Sequence, residues 1–381
     1  MKKIYSLLAS VALMSAFTAC SSDDEMPSQM ANVNGSELIV KSVGVASIDT
    51  KAGIMADKFT NSETLGLYIY KGAGINNGEI ASGDEQYNNA DGLVSTVNVP
   101  YQTNVGGTSW TAAQPIILSN VKGKVYAYYP YAENNKLTGT GADNGLAVKV
   151  SVLTEQGTGQ SNGSKDDVQT DYMWAVPKSD VSNAAPSVDL TMNHALTMIT
   201  FKFKQTETQG ELYPGAGKVS QIVLKNQTGG HVVKVGDATM NIATGKINLG
   251  STAVDGSIEL IPNSTETLMG VETAEKLPRL LVYPTTADIT GNDAEVTVTV
   301  DGNSYTVKIP ALKIDDPNSE DPQDKLDSPW LAGKNYTYTL TLKGTGLEIT
   351  SVGINAWQDE SGNEGEDMPV QTPDGPVSPE P

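Results

Sequence analysis

Residues 331–357 read LAGKNYTYTLTLKGTGLEITSVGINAW. From Asn335 to Lys343 apolar and polar side chains alternate, with Tyr336, Tyr338, Leu340 and Leu342 on one set of positions. A period of two sends successive side chains to opposite faces of a strand and builds no helix face. Gly344, Thr345 and Gly346 interrupt the run, and Leu347–Trp357 resumes it. The stretch predicts two strands joined by a tight turn.

The same texture extends through residues 33–357, which are rich in Val, Thr, Ile, Gly and Asn. No stretch of about 12 or more residues carries a 3.6-residue period, so an all-β chain is expected. Lys124–Tyr131 (KVYAYYPY), Ala147–Leu153, Leu196–Lys204, Glu295–Val300 and Tyr305–Ile309 read as strands. Asp301–Gly302 supplies hairpin turn chemistry between the last two. Gln156–Asp171 and Ser179–Ser187 read as loops. The body is long for one sandwich, so two are expected, over residues 33–190 and 191–357.

The N-terminus differs in kind. Met1, Lys2 and Lys3 precede an apolar run from Ile4 to Ala19, and the only cysteine of the chain, Cys20, follows Thr18–Ala19. The run has the length of a signal-peptide core and is short for a membrane span. This start resembles the lipobox of bacterial lipoproteins, which implies a signal peptide over residues 1–19 and lipid attachment at Cys20. A lone cysteine forms no intramolecular disulfide. Ser21–Glu25 (SSDDE) opens an acidic tether over residues 20–32, similar to the surface-export signal of Bacteroidetes lipoproteins. Residues 358–381 hold seven carboxylates and five prolines and no Lys or Arg. Such a tail buries too little apolar surface to offset its ordering entropy and is expected to be disordered.

Composition also excludes. The formal net charge is −20 and the sequence pI about 4.4, which repels phosphate and argues against nucleic acid as a partner. The two histidines are far apart: His194 stands at a strand entry and His231 in a Gly-Gly turn. No HExxH or CxxC spacing occurs, so neither a metal nor another cofactor is expected. Ser161 lies at the centre of a GxSxG string, GQSNG, but lacks the strand-then-helix context of a nucleophile elbow. The acidic stretch Asp315–Asp324 lacks the ligand spacing of a calcium loop. The chain reads as no enzyme. Tyr126, Tyr128, Tyr129 and Tyr131 crowd one strand and are expected to pack across strands with their hydroxyls reaching solvent; sugar stacking is the alternative.

Several stretches together resemble the fimbrillin family of Bacteroidetes, the type V pilins and their relatives. They are the lipobox at Cys20, DTKAG (Asp49–Gly53), VYAYYPY (Val125–Tyr131), MNHALTMITFKF (Met192–Phe203) and the opening stretch Leu331–Trp357. The resemblance implies two transthyretin-like Greek-key β-sandwich domains in tandem and a lipid-anchored protein exposed on the outer membrane. It also implies assembly into fimbriae with an adhesive role towards host or bacterial surface ligands. In such pilins a trypsin-like protease cuts after Arg or Lys in a loop near the N-terminus. The first strand then leaves with the lipid, and a strand from another subunit takes its place. Mapped onto this chain, Glu37–Ile48 (ELIVKSVGVASI) is the removable strand and Lys51 the processing position. Arg279, the only arginine, leads into the predicted strand Leu280–Tyr283 and suits processing poorly. Either Leu347–Trp357 is the donated strand or the chain donates nothing. The alternative to a fimbrial subunit is a surface lipoprotein that binds glycans and does not polymerise.

Overall fold

The structure, a computed structural model, describes residues 35–45, 59, 63–71, 75–76, 79–80, 97–104, 109–135, 146–157, 169–262, 267, 269–270, 277–315, 325–356 and 368–369. Cys20, Lys51, Ser161 and most of Asp315–Asp324 lie outside the described residues. The main strands of the N-terminal half are β1 (Ile39–Val45), β2 (Thr64–Lys71), β3 (Val99–Thr103), β4 (Gly123–Tyr129), β5 (Ala147–Val152), β6 (Met173–Ala175) and β7 (Ser187–His194). Those of the C-terminal half are β8 (Thr197–Gln205), β9 (Val219–Asn226), β10 (Lys234–Asn241), β11 (Ser257–Ile261) and β12 (Arg279–Val282). The last four are β13 (Ala294–Val300), β14 (Asn303–Lys308), β15 (Lys334–Lys343) and β16 (Gly346–Ala356). Among the described residues the only helical piece is one 3-10 turn, Glu133–Asn135. The all-β expectation holds.

An eight-stranded sheet runs β1-β7-β6-β4-β2-β3 and ends at Trp110–Thr111, with Lys178–Val181 also pairing on β4. Its two ends approach each other, because Trp110–Thr111 comes close to β1. The sheet therefore wraps around its own core of Leu38, Val40, Leu65, Leu67, Ile69, Tyr101, Val125, Ala127, Leu190 and Met192, among others. The stretch Ser179–Ser187, expected as loop, is partly strand for this reason: Lys178 and Val181 register on Val125 and Gly123.

The second sandwich is built from two five-stranded sheets. One orders β12-β8-β15-β16 and then Met368–Pro369; the other orders Glu155–Gly157, β11, β9, β13 and β14. In β13 every second residue is buried, the signature of one face on a core and one face outward. By contrast β8 is buried almost throughout, as a parallel strand between β15 and β12 should be. A further sheet joins the two halves of the chain, since β5 pairs antiparallel with β10 from Ala147↔Asn241 to Val152↔Gly236. At the β13–β14 hairpin Asp301 and Gly302 both take positive φ, 48° and 83°, as the two-residue turn demands. Within the tail expected to be disordered, Met368–Pro369 pairs antiparallel with Ser351–Val352.

The tyrosine-rich strand serves both cores. Val125 and Ala127 face the first, while Tyr126 and Tyr128 face the second together with Tyr68 and Tyr70 of β2. Their hydroxyls do not reach solvent, which corrects that part of the reading. Tyr68 donates to the Asn135 carbonyl, and Tyr128 donates to Asn98 Oδ1 at 2.7 Å. Burial pushes the Tyr70 hydroxyl up to about 12 and raises that of Tyr128. A phenol enclosed on both sides needs an internal acceptor, and these carbonyl and amide oxygens supply it.

Candidate first-strand slot

The candidate site is the seam that β1 fills. Within Leu38–Val45 the apolar residues are Leu38, Ile39, Val40, Val43 and Val45. Leu38, Val40 and Val45 are buried in the first core, Val43 packs against it, and Ile39 is half exposed at 49 %. Fully burying one such side chain contributes about 2 kcal/mol, so the strand is held mainly by these residues.

Two different segments hold the backbone. Ser36–Glu37 pairs antiparallel with Ile117–Leu118. The chain then crosses to β7 and pairs parallel with it, from Ile39↔Ser187 to Val45↔Met192. At the crossing, the Leu38 amide donates to the Ile116 carbonyl and the Ile39 amide to the Pro186 carbonyl, each at 2.8 Å. The Tyr101 hydroxyl bridges the same place: it accepts from the Ile116 amide at 3.2 Å and donates to the Leu38 carbonyl at 3.4 Å. Burial pushes this hydroxyl up to about 12, the Ile116 amide works against that rise, and Glu37 adds to it. Side chains fasten the rim, with Ser36 Oγ donating to the Asn183 carbonyl at 3.0 Å and Ser42 Oγ to Asp189 Oδ1 at 2.6 Å.

Register shifts inside β1. Val40 stands opposite Val188, and Ser42 stands opposite Asp189, so Lys41 is an extra residue. One extra residue reverses the inward face. Leu38 and Val40 point inward before it; Val43 and Val45 do so after it.

Removing residues 38–45 would leave β7 with an unpaired edge and the core with four apolar vacancies, at Leu38, Val40, Val43 and Val45. Edges of that kind are templates for an added strand. Sequence reasoning found the strand but not its walls. β7 does alternate, with Val188, Leu190 and Met192 inward. Its pairing with a segment some 147 residues away leaves no local trace.

Other candidate residues fall elsewhere. His194 Nδ1 meets Asp171 Oδ2 at 2.9 Å, both side chains almost fully buried, which is a structural pair in the core wall. His231 lies at the surface, its Nδ1 2.6 Å from Asp255 Oδ2, and Lys234 Nζ meets the other oxygen of that carboxylate at 2.6 Å. These hydrogen bonds, Lys234 first, hold the Asp255 carboxyl below its usual range. Arg279 is buried in β12, out of reach of a protease. Among the described residues no cluster of His, Cys, Asp or Glu could hold a metal ion. Of the tryptophans, Trp110 and Trp330 are buried. Trp174 is partly buried and lines a cleft of about 450 Å³ with Asn193, His194, Lys246 and Thr285.

A fimbrillin-like family model matches residues 50–357. No curated protein matches the chain. Two solved structures share the fold. A candidate cell-adhesion protein of Bacteroides ovatus superposes with TM-score 0.55 at 16 % identity, over 85 % of this chain and 99 % of its own. Another, of Bacteroides uniformis, gives 0.51 at 19 % identity, over 85 % and 100 %. The tip fimbrial protein Mfa3 of Porphyromonas gingivalis, with a C-terminal truncation, gives 0.42 at 11 % identity, over 81 % and 98 %. With the model covering most of its length, the chain belongs to the fimbrillin-like family.

Proposed function

We propose that the protein is a subunit of cell-surface fimbriae that accepts a strand from a partner subunit in place of β1. One observation carries the reading. β1 lies at a sheet edge, pairs parallel with a single long strand, and still buries Val40 and Val45, with Leu38 buried just before it. A segment so placed can leave without unpicking the sheet behind it, and its loss opens a groove that another strand can close.

In this reading Cys20 carries lipid and holds the precursor on the outer face of the outer membrane. Cleavage after Lys51 separates β1, with its lipid, from the body. The division into domains at residues 190 and 191 belongs to the same proposal. The acidic, proline-rich segment 358–381 does not alternate and has too few apolar residues to fill a groove, so either Leu347–Trp357 is the donated strand or the chain acts as an acceptor alone. An accepting subunit that donates nothing belongs at a tip or, if it keeps its lipid, at an anchor. The solved relatives whose names refer to cell adhesion support an adhesive role. The role is structural, not catalytic.

The test compares wild type with Lys51→Ala after mild trypsin, in the presence of a fimbrial partner subunit. Only the wild type is expected to form complexes that resist SDS at room temperature. Equal complexes from both exclude Lys51 as the switch.

A second reading, glycan capture without assembly, has the Trp174 cleft in its favour, since an indole face beside Asn193, Lys246 and Thr285 suits a sugar ring. Soluble sugars that shift the Trp174 signals while no subunit complex forms would favour it.

A further inference from the structure

The cleft beside Trp174 sets an aromatic ring next to an unopposed positive charge. Trp174 of β6 stands directly opposite Asn193 of β7, so the two side chains lie side by side on one face of the sheet. The turn after β10 closes against the indole. The Gly245 amide donates to the Asn241 carbonyl at 2.7 Å, and the Asn241 amide donates to the Lys246 carbonyl at 2.9 Å. Gly245 takes a φ of 71°, and a Cβ there would come within 2.0 Å of Trp174 Nε1. Only glycine lets the turn approach so closely, and the approach brings Lys246 into the same cleft as the ring.

Thr285 and Thr286, which follow β12, line the cleft from another side. Thr285 is committed within the protein. Its amide donates to the Trp330 carbonyl, and its hydroxyl accepts from the Trp330 amide and donates to the Ala287 carbonyl. Lys246 and Thr286 are exposed, and neither side chain has a hydrogen bond or ion pair among the described residues. The chain holds 45 acidic residues against 25 Lys and Arg. Yet none of the described residues lining this cleft is acidic, and Lys246 is its exposed cation.

We propose that the cleft binds a sugar bearing a carboxylate, such as a uronic acid residue of a surface glycan. The inference rests on the sugar reading of the cleft and names the class of sugar; it holds whether or not the subunit also assembles. The apolar face of the sugar ring stacks on the indole, the carboxylate meets the Lys246 ammonium, and a ring hydroxyl meets Thr286 or Asn193. The cleft, about 450 Å³, falls within the usual size of small-ligand sites, about 300–1,000 Å³. An acidic peptide offers the carboxylate but no rigid saturated ring to lie flat on the indole.

The test uses the full chain and two matched pairs of methyl glycosides, glucuronide with glucoside and galacturonide with galactoside. Each pair differs only in a carboxylate in place of a hydroxymethyl group. Binding is followed by the Trp174 indole N–H signal, identified by its loss in Trp174→Phe. The salt is about 0.15 M, where distant carboxylates are screened more than a contact pair is. At least one acidic sugar is expected to move that signal and to bind about three-fold or more tightly than its neutral twin, the range of an exposed ion pair. Lys246→Glu, a change at an exposed turn position, should invert the preference. Equal binding within both pairs, or a preference unchanged in Lys246→Glu, overturns the acidic-sugar assignment and leaves a sugar site. Tighter binding of a glutamate hexapeptide than of either acidic sugar also overturns it. A Trp174 signal that none of the four sugars moves overturns the sugar reading of the cleft itself.

Discussion

The Tyr101 hydroxyl donates to the Leu38 carbonyl at 3.4 Å and so touches the chain at the start of β1, where it crosses from one neighbour to the next. It also accepts from the Ile116 amide, so one phenol fastens β1 to the wall that stays behind. Tyr101→Phe should keep the fold and lose about 1–2 kcal/mol, most of it from the buried Ile116 amide left without an acceptor. Hydrogen exchange in residues 38–45 should quicken by at least about tenfold, while β13 and β15 keep their protection. Unchanged exchange in β1 would mean that the hydroxyl is no latch.

Gly66 pairs with Tyr128 across β2 and β4, and a Cβ there would come within 2.0 Å of the Tyr128 ring. That ring is pinned by its hydroxyl bond to Asn98 and cannot swing away cheaply. Gly66→Ala should therefore destabilise by about 1–3 kcal/mol through overpacking, read as a lower urea midpoint with an unchanged slope. A midpoint equal to wild type would show that the sheet yields.

His194 and Asp171 form a buried pair. Replacing His194 with Phe leaves the Asp171 carboxyl buried and without its ring partner, which should cost about 3 kcal/mol. The double variant His194→Phe, Asp171→Leu should recover part of that loss, because both polar groups are then gone. If the double variant is the less stable by the sum of the two single effects, the pair is not coupled.

Much of the fold was legible in the residues. The alternation in NYTYTLTLK and LEITSVGINAW marks β15 and β16, and Asp301–Gly302 marks their counterpart hairpin between β13 and β14. The apolar residues of ELIVKSVGVASI marked a strand, and Leu38, Val40 and Val45 are buried in the first core. What stayed hidden was non-local. Nothing around Leu38 says that it pairs beside Ile116 or that Val40 meets Val188 in parallel. The tyrosine hydroxyls were misjudged because alternation alone cannot distinguish a half-exposed strand from one enclosed by two cores. Tyr126 and Val125 both lie inside because chain on each side of the sheet covers them.

The central claim is that β1 must leave its slot before a partner strand can enter. Val40 and Val188 are paired neighbours on β1 and β7, both buried. Adjacent strands run about 4.8 Å apart, within the range a disulfide can bridge. In a chain with Cys20→Ser, the pair Val40→Cys and Val188→Cys can therefore staple β1 in place. The measurement is SDS-resistant complex formation with a fimbrial partner subunit after cleavage, with the staple oxidised and then reduced. The account predicts complexes from the reduced protein and none from the oxidised one; equal yields from both would contradict it.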